Sequence, residues 1–377
     1  MLARVCLVVI AMAALIMSAA NASEIIAGPR PQAVDDRWVL EPSGVKVETW
    51  VSGLAAPWSL AFLPDGRALV SERRGIIRLI SPDGEVRTIF SFDILEDDES
   101  GLMGLAVHPD FPAAPYVYAM YTWREGRRIG NSIFRFRLEG DEISNDRFII
   151  DGMPAGNNHN GGRIAFGPDG MLYVGAGDIF RRELAQRRDS LAGKILRFTP
   201  DGEIPADNPT PDSAIWSLGH RNVQGLAWSP RSGEFYASEH GPSGEVGFGA
   251  HDEINRIVKG GNYGWPLTAG APGRPGYIDP VVAWPNVTTP PSGMAFWRGD
   301  LYVATLGSEA LVRIGLKNGR AAKIERWFND GDRSVYGRLR DAVRGPDGAL
   351  YVLTGNNDWR GDKRPGDDRI LRITERR

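Results

Sequence analysis

Residues 164–174 read IAFGPDGMLYV, and the phrase recurs along the chain. Close copies are LAFLPDGRALV from Leu60 and AVRGPDGALYV from Ala342. Looser ones are LAVHPDF from Leu105, LAWSPRSGEFYA from Leu226 and MAFWRGDLYVA from Met294. Proline pre-sets φ, aspartate bonds its own backbone and glycine accepts positive φ, so Pro-Asp-Gly is a tight turn. Alternating apolar residues on both sides make it the tip of a half-buried hairpin. The shared alanines, Ala61, Ala106, Ala165, Ala227, Ala295 and Ala342, fall 45, 59, 62, 68 and 47 residues apart.

A second phrase alternates with the first and carries an arginine in an apolar strand: Arg78, Arg135, Arg197, Arg256, Arg313 and Arg372. Units of this length with four strands are propeller blades. The fold expected is all-β, a six-bladed propeller of four-stranded antiparallel blades over residues 45–377. Only residues 183–191 could pass for a helix. Outer strands follow the second phrase at VRTIF, RFII and KIERWF, but the last unit has none. A spare strand, VKVETWV from Val45, is expected to complete that last blade and close the ring.

Residues 1–22 read as a cleaved signal peptide: Arg4, an apolar run at 5–17, then Ala20-Asn21-Ala22. The run is too short to span a bilayer comfortably. Cleavage leaves 355 of the 377 residues and takes the net charge from −3 to −4, which does not suggest a nucleic-acid partner. It also removes Cys6, the only cysteine. The mature chain then has no disulfide and no thiolate metal site, which suits a periplasmic or secreted protein without requiring one. Residues 23–44 read as a loose leader. No membrane span is expected after cleavage, and monomer and homodimer both stay open.

Interruptions of the repeat are where chemistry is expected, because propeller function sits on loops at one end of the channel. They are residues 97–104, 156–163, 218–225, 238–265, 284–293 and 337–341. His159 is one of five histidines, and histidine suits general-base work near neutral pH. Asp178 ends the next strand and can return to the same rim. Arg221 can bind a carboxylate or a developing oxyanion. Arg338 and Arg340 alternate on one strand face, so both can enter the channel and meet an anion. Residues 240–263 offer carboxylates and backbone carbonyls of the kind Ca2+ takes, without EF-hand spacing.

At GLMGLAVHPDF, NNHNGGRIAFGPDG, GKILRFTPDGEIPADNP, LGHRNVQGLAWSP, SEHGP, DEINRIVKGGNYGWP and GRLRDAV the chain resembles the soluble pyrroloquinoline-quinone-dependent sugar dehydrogenases, over about residues 45–374. The aldose sugar dehydrogenase branch is the nearest. The resemblance implies an aldose substrate oxidised at C1 to a lactone, pyrroloquinoline quinone and Ca2+ as cofactors, and an external electron acceptor. It makes His159 the base, Asp178 its partner and Arg221 the group near the quinone carbonyl. Asn222, Trp284, Asn286, Arg338 and Arg340 fall on cofactor contacts. Gly241 and Pro242 fall on carbonyl ligands of the catalytic Ca2+, and Glu253 and Tyr263 on a structural one. Three positions depart from the family: Glu99 stands for a cofactor-contacting Gln, Gly307 for a Lys, and Asn158 for an Asp. A metal-dependent lactonase and a non-catalytic sugar- or protein-binding propeller are the rival readings.

Overall fold

The Pro-Asp-Gly turns of the repeated phrase, at 64–66, 168–170 and 346–348, each join the innermost strand of a sheet to its second strand. The computed structural model describes residues 25–29, 34–94 and 96–376, so the expected signal sequence lies outside the described residues. Six antiparallel sheets stand around one channel. Their innermost strands are Pro57–Phe62, Leu102–Val107, Ile164–Phe166, Val223–Trp228, Pro291–Trp297 and Leu339–Arg344. These are the strands that carry the repeated alanines. Five of those alanines, Ala61, Ala106, Ala165, Ala295 and Ala342, line a single cavity of about 320 Å³, where six converging strands leave room only for small side chains.

The repeated arginine has a structural explanation. In blades two to six it stands across the ladder from a tyrosine of the second strand, as Tyr173 does with Arg197 and Tyr351 with Arg372. The turn aspartate closes the triangle. Asp169 accepts Tyr173 Oη at 2.9 Å and Arg197 Nη2 at 3.0 Å. Asp347 accepts Tyr351 Oη at 3.1 Å and Arg372 Nη2 at 2.7 Å. The Asp of the turn thus also satisfies a guanidinium two strands away, one that is buried at Arg197 and part-exposed at Arg372.

Ring closure follows the sequence expectation. Val45–Val51 pairs antiparallel with Ile370–Glu375 as the fourth strand of the last blade. The candidate helix is a single 3-10 turn, Arg182–Gln186. The leader needs correcting. Asp36–Val39 adds a fifth, parallel strand to the blade ending in Arg320–Trp327, and Asp36 accepts Arg326 Nε at 2.9 Å. Ile26–Ala27 pairs with Thr268–Ala269. Among the described residues no helix is long and apolar enough to cross a membrane.

One buried ion pair crosses the channel. Arg163 Nη1 lies 2.8 Å from Asp341 Oδ2 and 3.1 Å from Ser59 Oγ, and its Nε donates to the Gln224 carbonyl at 2.9 Å. Asp341 Oδ2 also accepts the Leu60 amide at 3.1 Å. Four blades meet there. A chain starting at Ser52 is expected to unfold about 10 °C or more below the full chain in a thermal melt, because the last blade loses its outer strand and its covered edge. An unchanged midpoint would show that the ring closes without it.

Candidate functional site

The residues that precede each innermost strand, and those that end each second strand, gather at one end of the channel. They enclose a pocket of about 450 Å³ whose wall includes Glu99, His159, Arg221, Pro242, Arg338 and Arg360. A smaller continuation beneath it is lined by Arg73, Asn160, Gln224, Arg338, Arg340 and Asp358.

His159 enters the pocket from a loop with little freedom. Its φ is +56°, uncommon for a residue with a Cβ. Its carbonyl lies so close to Gly177 that a Cβ there would approach to 1.9 Å, so only glycine lets the GAGD strand end pack beneath the loop. That contact brings Asp178 under the imidazole: Nδ1 and Asp178 Oδ1 are 2.7 Å apart, both side chains being buried. Asp178 is itself held by the Phe180 amide at 3.0 Å and by Trp265 Nε1 at 2.8 Å. The exposed Phe180 ring stacks on the imidazole at 3.9 Å. Nε2 is the ring nitrogen left for a ligand, and a carboxylate that fixes the tautomer and can stabilise an imidazolium is the arrangement of a general base.

Arg221 is buried on the adjoining wall. Its backbone amide donates to Glu239, which also holds His220 Nδ1 at 2.8 Å. Its guanidinium meets Glu245 Oε1 at 2.6 Å and the His240 carbonyl at 3.2 Å. Neighbouring Asn222 accepts the Gly161 amide through Oδ1, at 3.0 Å, and leaves Nδ2 buried without a partner. Arg338 and Arg340 come off alternate positions of one strand, as the sequence spacing implies. Asp358 lies 3.2 Å from Arg338 Nη2 and 3.5 Å from Arg340 Nη2. Burial, opposed by Asp358 and reinforced by Arg338 and Arg73, pulls the Arg340 guanidinium down to about 10. Arg338 Nε is also buried without a partner. Unpartnered buried donors beside an excess of cations suit an anionic ligand.

Gly241 and Pro242 follow His240 at the end of a second strand, and Pro242 reaches the pocket wall. Asp252 accepts the Gly241 amide at 3.0 Å and the Thr289 amide. Glu253 is buried below this wall, where its carboxylate accepts the Gly270 amide and, at 3.2 Å, Asn255 Nδ2. Desolvation, then the nearby Glu239 carboxylate, pushes Glu253 well above the usual carboxylate range. Asn255 Oδ1 is buried without a donor. Two buried carboxylates and an idle carbonyl oxygen would be relieved by a hard cation. Tyr263 stacks on His220 at 4.7 Å, and its hydroxyl donates to the Arg256 carbonyl at 2.7 Å. Among the described residues no three His, Cys, Asp or Glu side chains converge as a metal cage, so a cation here would depend on backbone and amide oxygens.

Trp284 and Asn286, expected beside the cofactor, are not brought to the pocket. Trp284 is fully buried in an outer strand, where its Nε1 donates to Asp36 at 3.0 Å and Arg326 lies over its ring. Asn286 is exposed beyond the strand end. The segment reaches the pocket only at Thr288 and Pro290. Among the pocket residues that were not singled out in the sequence are Phe180, Arg360 and His240, and Trp265 stands behind the wall on Asp178. His240 alone had a signal, as the residue before Gly241-Pro242. Complete burial pulls its imidazole down to about 3, so it is neutral at pH 7, with Nε2 unpartnered.

Comparison with known proteins agrees with this geometry. The family described as Glucose / Sorbosone dehydrogenase matches residues 54–361. The fold superposes on the PQQ-bound aldose sugar dehydrogenase of Streptomyces coelicolor with a TM-score of 0.80 at 40% identity, covering 88% of this chain and 98% of that one. Aldose sugar dehydrogenase YliI of Escherichia coli is 33% identical, over 83% of this chain and 91% of its own length. Quinoprotein glucose dehydrogenase B of Acinetobacter calcoaceticus is 34% identical, over 60% of this chain and 53% of its own length.

The tight backbone at Gly241 is open to test. A Cβ there would lie 2.1 Å from the Ala250 carbonyl oxygen, whereas at Gly249 the nearest atom is 3.6 Å away. Gly241→Ala is expected to lower the melting midpoint by several degrees, with Gly249→Ala within a degree or so of wild type. Equal midpoints would mean that the wall yields at no cost.

Proposed function

The chain belongs to the glucose/sorbosone dehydrogenase family, and on that premise we propose that it is an exported quinoprotein that oxidises aldose sugars at C1 to lactones and passes the electrons to an external acceptor. The observation that carries the reading is the His159–Asp178 pair, 2.7 Å apart on the wall of a pocket that Arg221 and Arg338 also line. When bound, pyrroloquinoline quinone supplies the hydride acceptor and Ca2+ the Lewis acid that polarises it. Arg338 and Arg340, with the spare donors of Arg338 and Asn222, would hold the cofactor's carboxylates. The carbonyls of Gly241 and Pro242 would face the catalytic Ca2+, while Glu253 and Tyr263 would serve a structural one.

The chain's own part in the chemistry is proton transfer and charge stabilisation. His159 Nε2 takes the proton of the anomeric hydroxyl as C1 loses its hydride, so the C1–O bond becomes the carbonyl of the lactone. Asp178 keeps Nδ1 protonated and offsets the positive charge that the ring acquires. Arg221 stabilises negative charge on the opposite side of the transfer. To do this its guanidinium must share or leave the Glu245 carboxylate that it meets in this structure. Phe180 covers the imidazole and limits water beside it. The signal sequence read at residues 1–22 supports export to the periplasm or beyond.

Purified apoprotein given the quinone and Ca2+ is expected to reduce a dye only when an aldose is present. His159→Ala should lower kcat by about 10²-fold or more, the usual worth of a general base. Sugar-independent behaviour at every cofactor concentration would sink the reading. Trp265→Phe, which removes a donor from Asp178, should lower kcat, whereas Trp284→Phe should lower only the melting midpoint. A kcat loss confined to Trp284→Phe would reverse that assignment of the two indoles.

A further inference from the structure

The three departures from the family pattern at Glu99, Asn158 and Gly307 all lie on one pocket wall. Two of them introduce an unfavourable change: Glu99 adds a negative charge where an anion must bind, and Gly307 offers no cation. The structure joins Glu99 and Asn158 through a single residue that no motif marks. Arg360 Nη1 donates to Glu99 Oε1 at 2.9 Å and its Nη2 to Asn158 Oδ1 at 3.2 Å. Arg360 belongs to the long loop after Leu350–Thr354, and lines both the pocket and its continuation. In that same loop Asp358 accepts the Arg360 amide at 2.8 Å and pairs with Arg338 and Arg340. One loop therefore holds both the counter-charge of the arginine pair and the cation that faces Glu99.

We propose that Arg360 is the charge-balancing residue of the anion site: by neutralising Glu99 and tying down Asn158 it keeps the pocket cationic without a lysine at position 307. The proposal rests on the quinone reading above and concerns how this chain holds a quinone that carries carboxylates. In the continuation of the pocket four guanidiniums, of Arg73, Arg338, Arg340 and Arg360, face the carboxylates of Glu99 and Asp358, an excess of two positive charges. Without Arg360 the excess is halved and Glu99 becomes a bare negative charge at the mouth. Burial works to raise the Glu99 carboxyl, but its neighbours, among them the Arg360 guanidinium and the His159 amide, more than offset it and hold it below the usual carboxylate range. Among them Arg360 makes the direct contact, 2.9 Å from Glu99 Oε1, and a guanidinium keeps its charge at any working pH. Glu99 cannot simply be dispensable, because its Oε2 accepts the His159 amide at 3.1 Å and steadies the loop of the base. A carboxylate that holds the base loop and a cation that cancels its charge form one unit.

The test is calorimetric titration of pyrroloquinoline quinone into apoprotein in Ca2+ buffer, which reads binding and not turnover. Wild type and Arg360→Lys are expected to bind within about threefold of each other. Arg360→Gln should bind about tenfold or more weakly, the scale of one charge in a partly screened pocket. Glu99→Gln combined with Arg360→Gln should recover to within about threefold of wild type, because the charge that needed cancelling is gone. If Arg360→Gln binds like wild type, or the double variant binds no better than Arg360→Gln, Arg360 does not balance Glu99. If wild type itself binds no quinone, the quinone reading falls, and this one with it.

Discussion

The Arg163–Asp341 ion pair is the constraint on which the rest of the molecule depends. Six inner strands converging on an axis leave a hole that apolar side chains could fill only by matching six unequal blades. The chain instead spans the hole with a buried guanidinium and carboxylate, each given further partners on other blades. Removing one partner of such a pair typically costs about 3–5 kcal/mol, because the other charge is left in a dry interior. The pair also divides the channel. On one side are the small alanines and the cavity that they line. On the other, Gln224 carries the network upward, accepting Arg340 Nη1 at 2.9 Å and so fixing the arm of a pocket arginine. The plug of the fold is thereby the floor of the site.

This placement separates what can vary from what cannot. The Tyr–Arg–Asp triangles lie toward the turn end of the blades, where each repeats the same local demand. The opposite end carries no repeat. There the second strands stop in different residues, Asp178 beyond one, His240 beyond another, Asn356 and Asp358 beyond a third, and the loops between blades differ in length. Close backbone packing, as between His159 and Gly177, turns these unlike ends into one wall. Rigidity comes from the repeated end and chemistry from the irregular end, as expected when loops are displayed on a fixed scaffold.

Much of this was legible in the sequence because it is periodic or local. The turn tripeptide, the alternation around it and the spare strand at Val45 each follow from short-range patterns, and they led to the blades and their closure. His159, Arg338 and Arg340 stood in interruptions whose place in the repeat pointed to one rim, and Asp178 at the end of a strand that returns to it. Trp284 was misplaced for a physical reason. Its segment leaves the blade at the correct rim, but the indole has a buried acceptor in Asp36, on a strand drawn from the supposed leader. Neither partner is near the other in sequence, and parallel pairing at a sheet edge has no local signature. Arg360 was invisible on the same grounds: its worth lies in contacts with Glu99 and Asn158, 261 and 202 residues away.

Concentrating guanidiniums in a buried pocket is unfavourable until something negative arrives, and that cost is visible in Arg340. Its guanidinium is drawn down by burial and by its neighbours even though Asp358 opposes the shift. The folded protein accepts this because the arginines are held by fixed partners, Gln224 below and Asp358 beside them, and cannot relax outward to water. Such preorganisation means that a binding anion finds donors already desolvated and aimed, so little reorganisation is spent when it binds or when charge moves within it. The same logic bears on His159. Its partner Asp178 is buried, doubly hydrogen-bonded and unable to turn away, so a proton arriving at Nε2 is stabilised by a carboxylate already in place. The pocket thus holds both its arginines and the carboxylate behind its base in place through partners from other blades, Gln224 for Arg340 and Trp265 for Asp178.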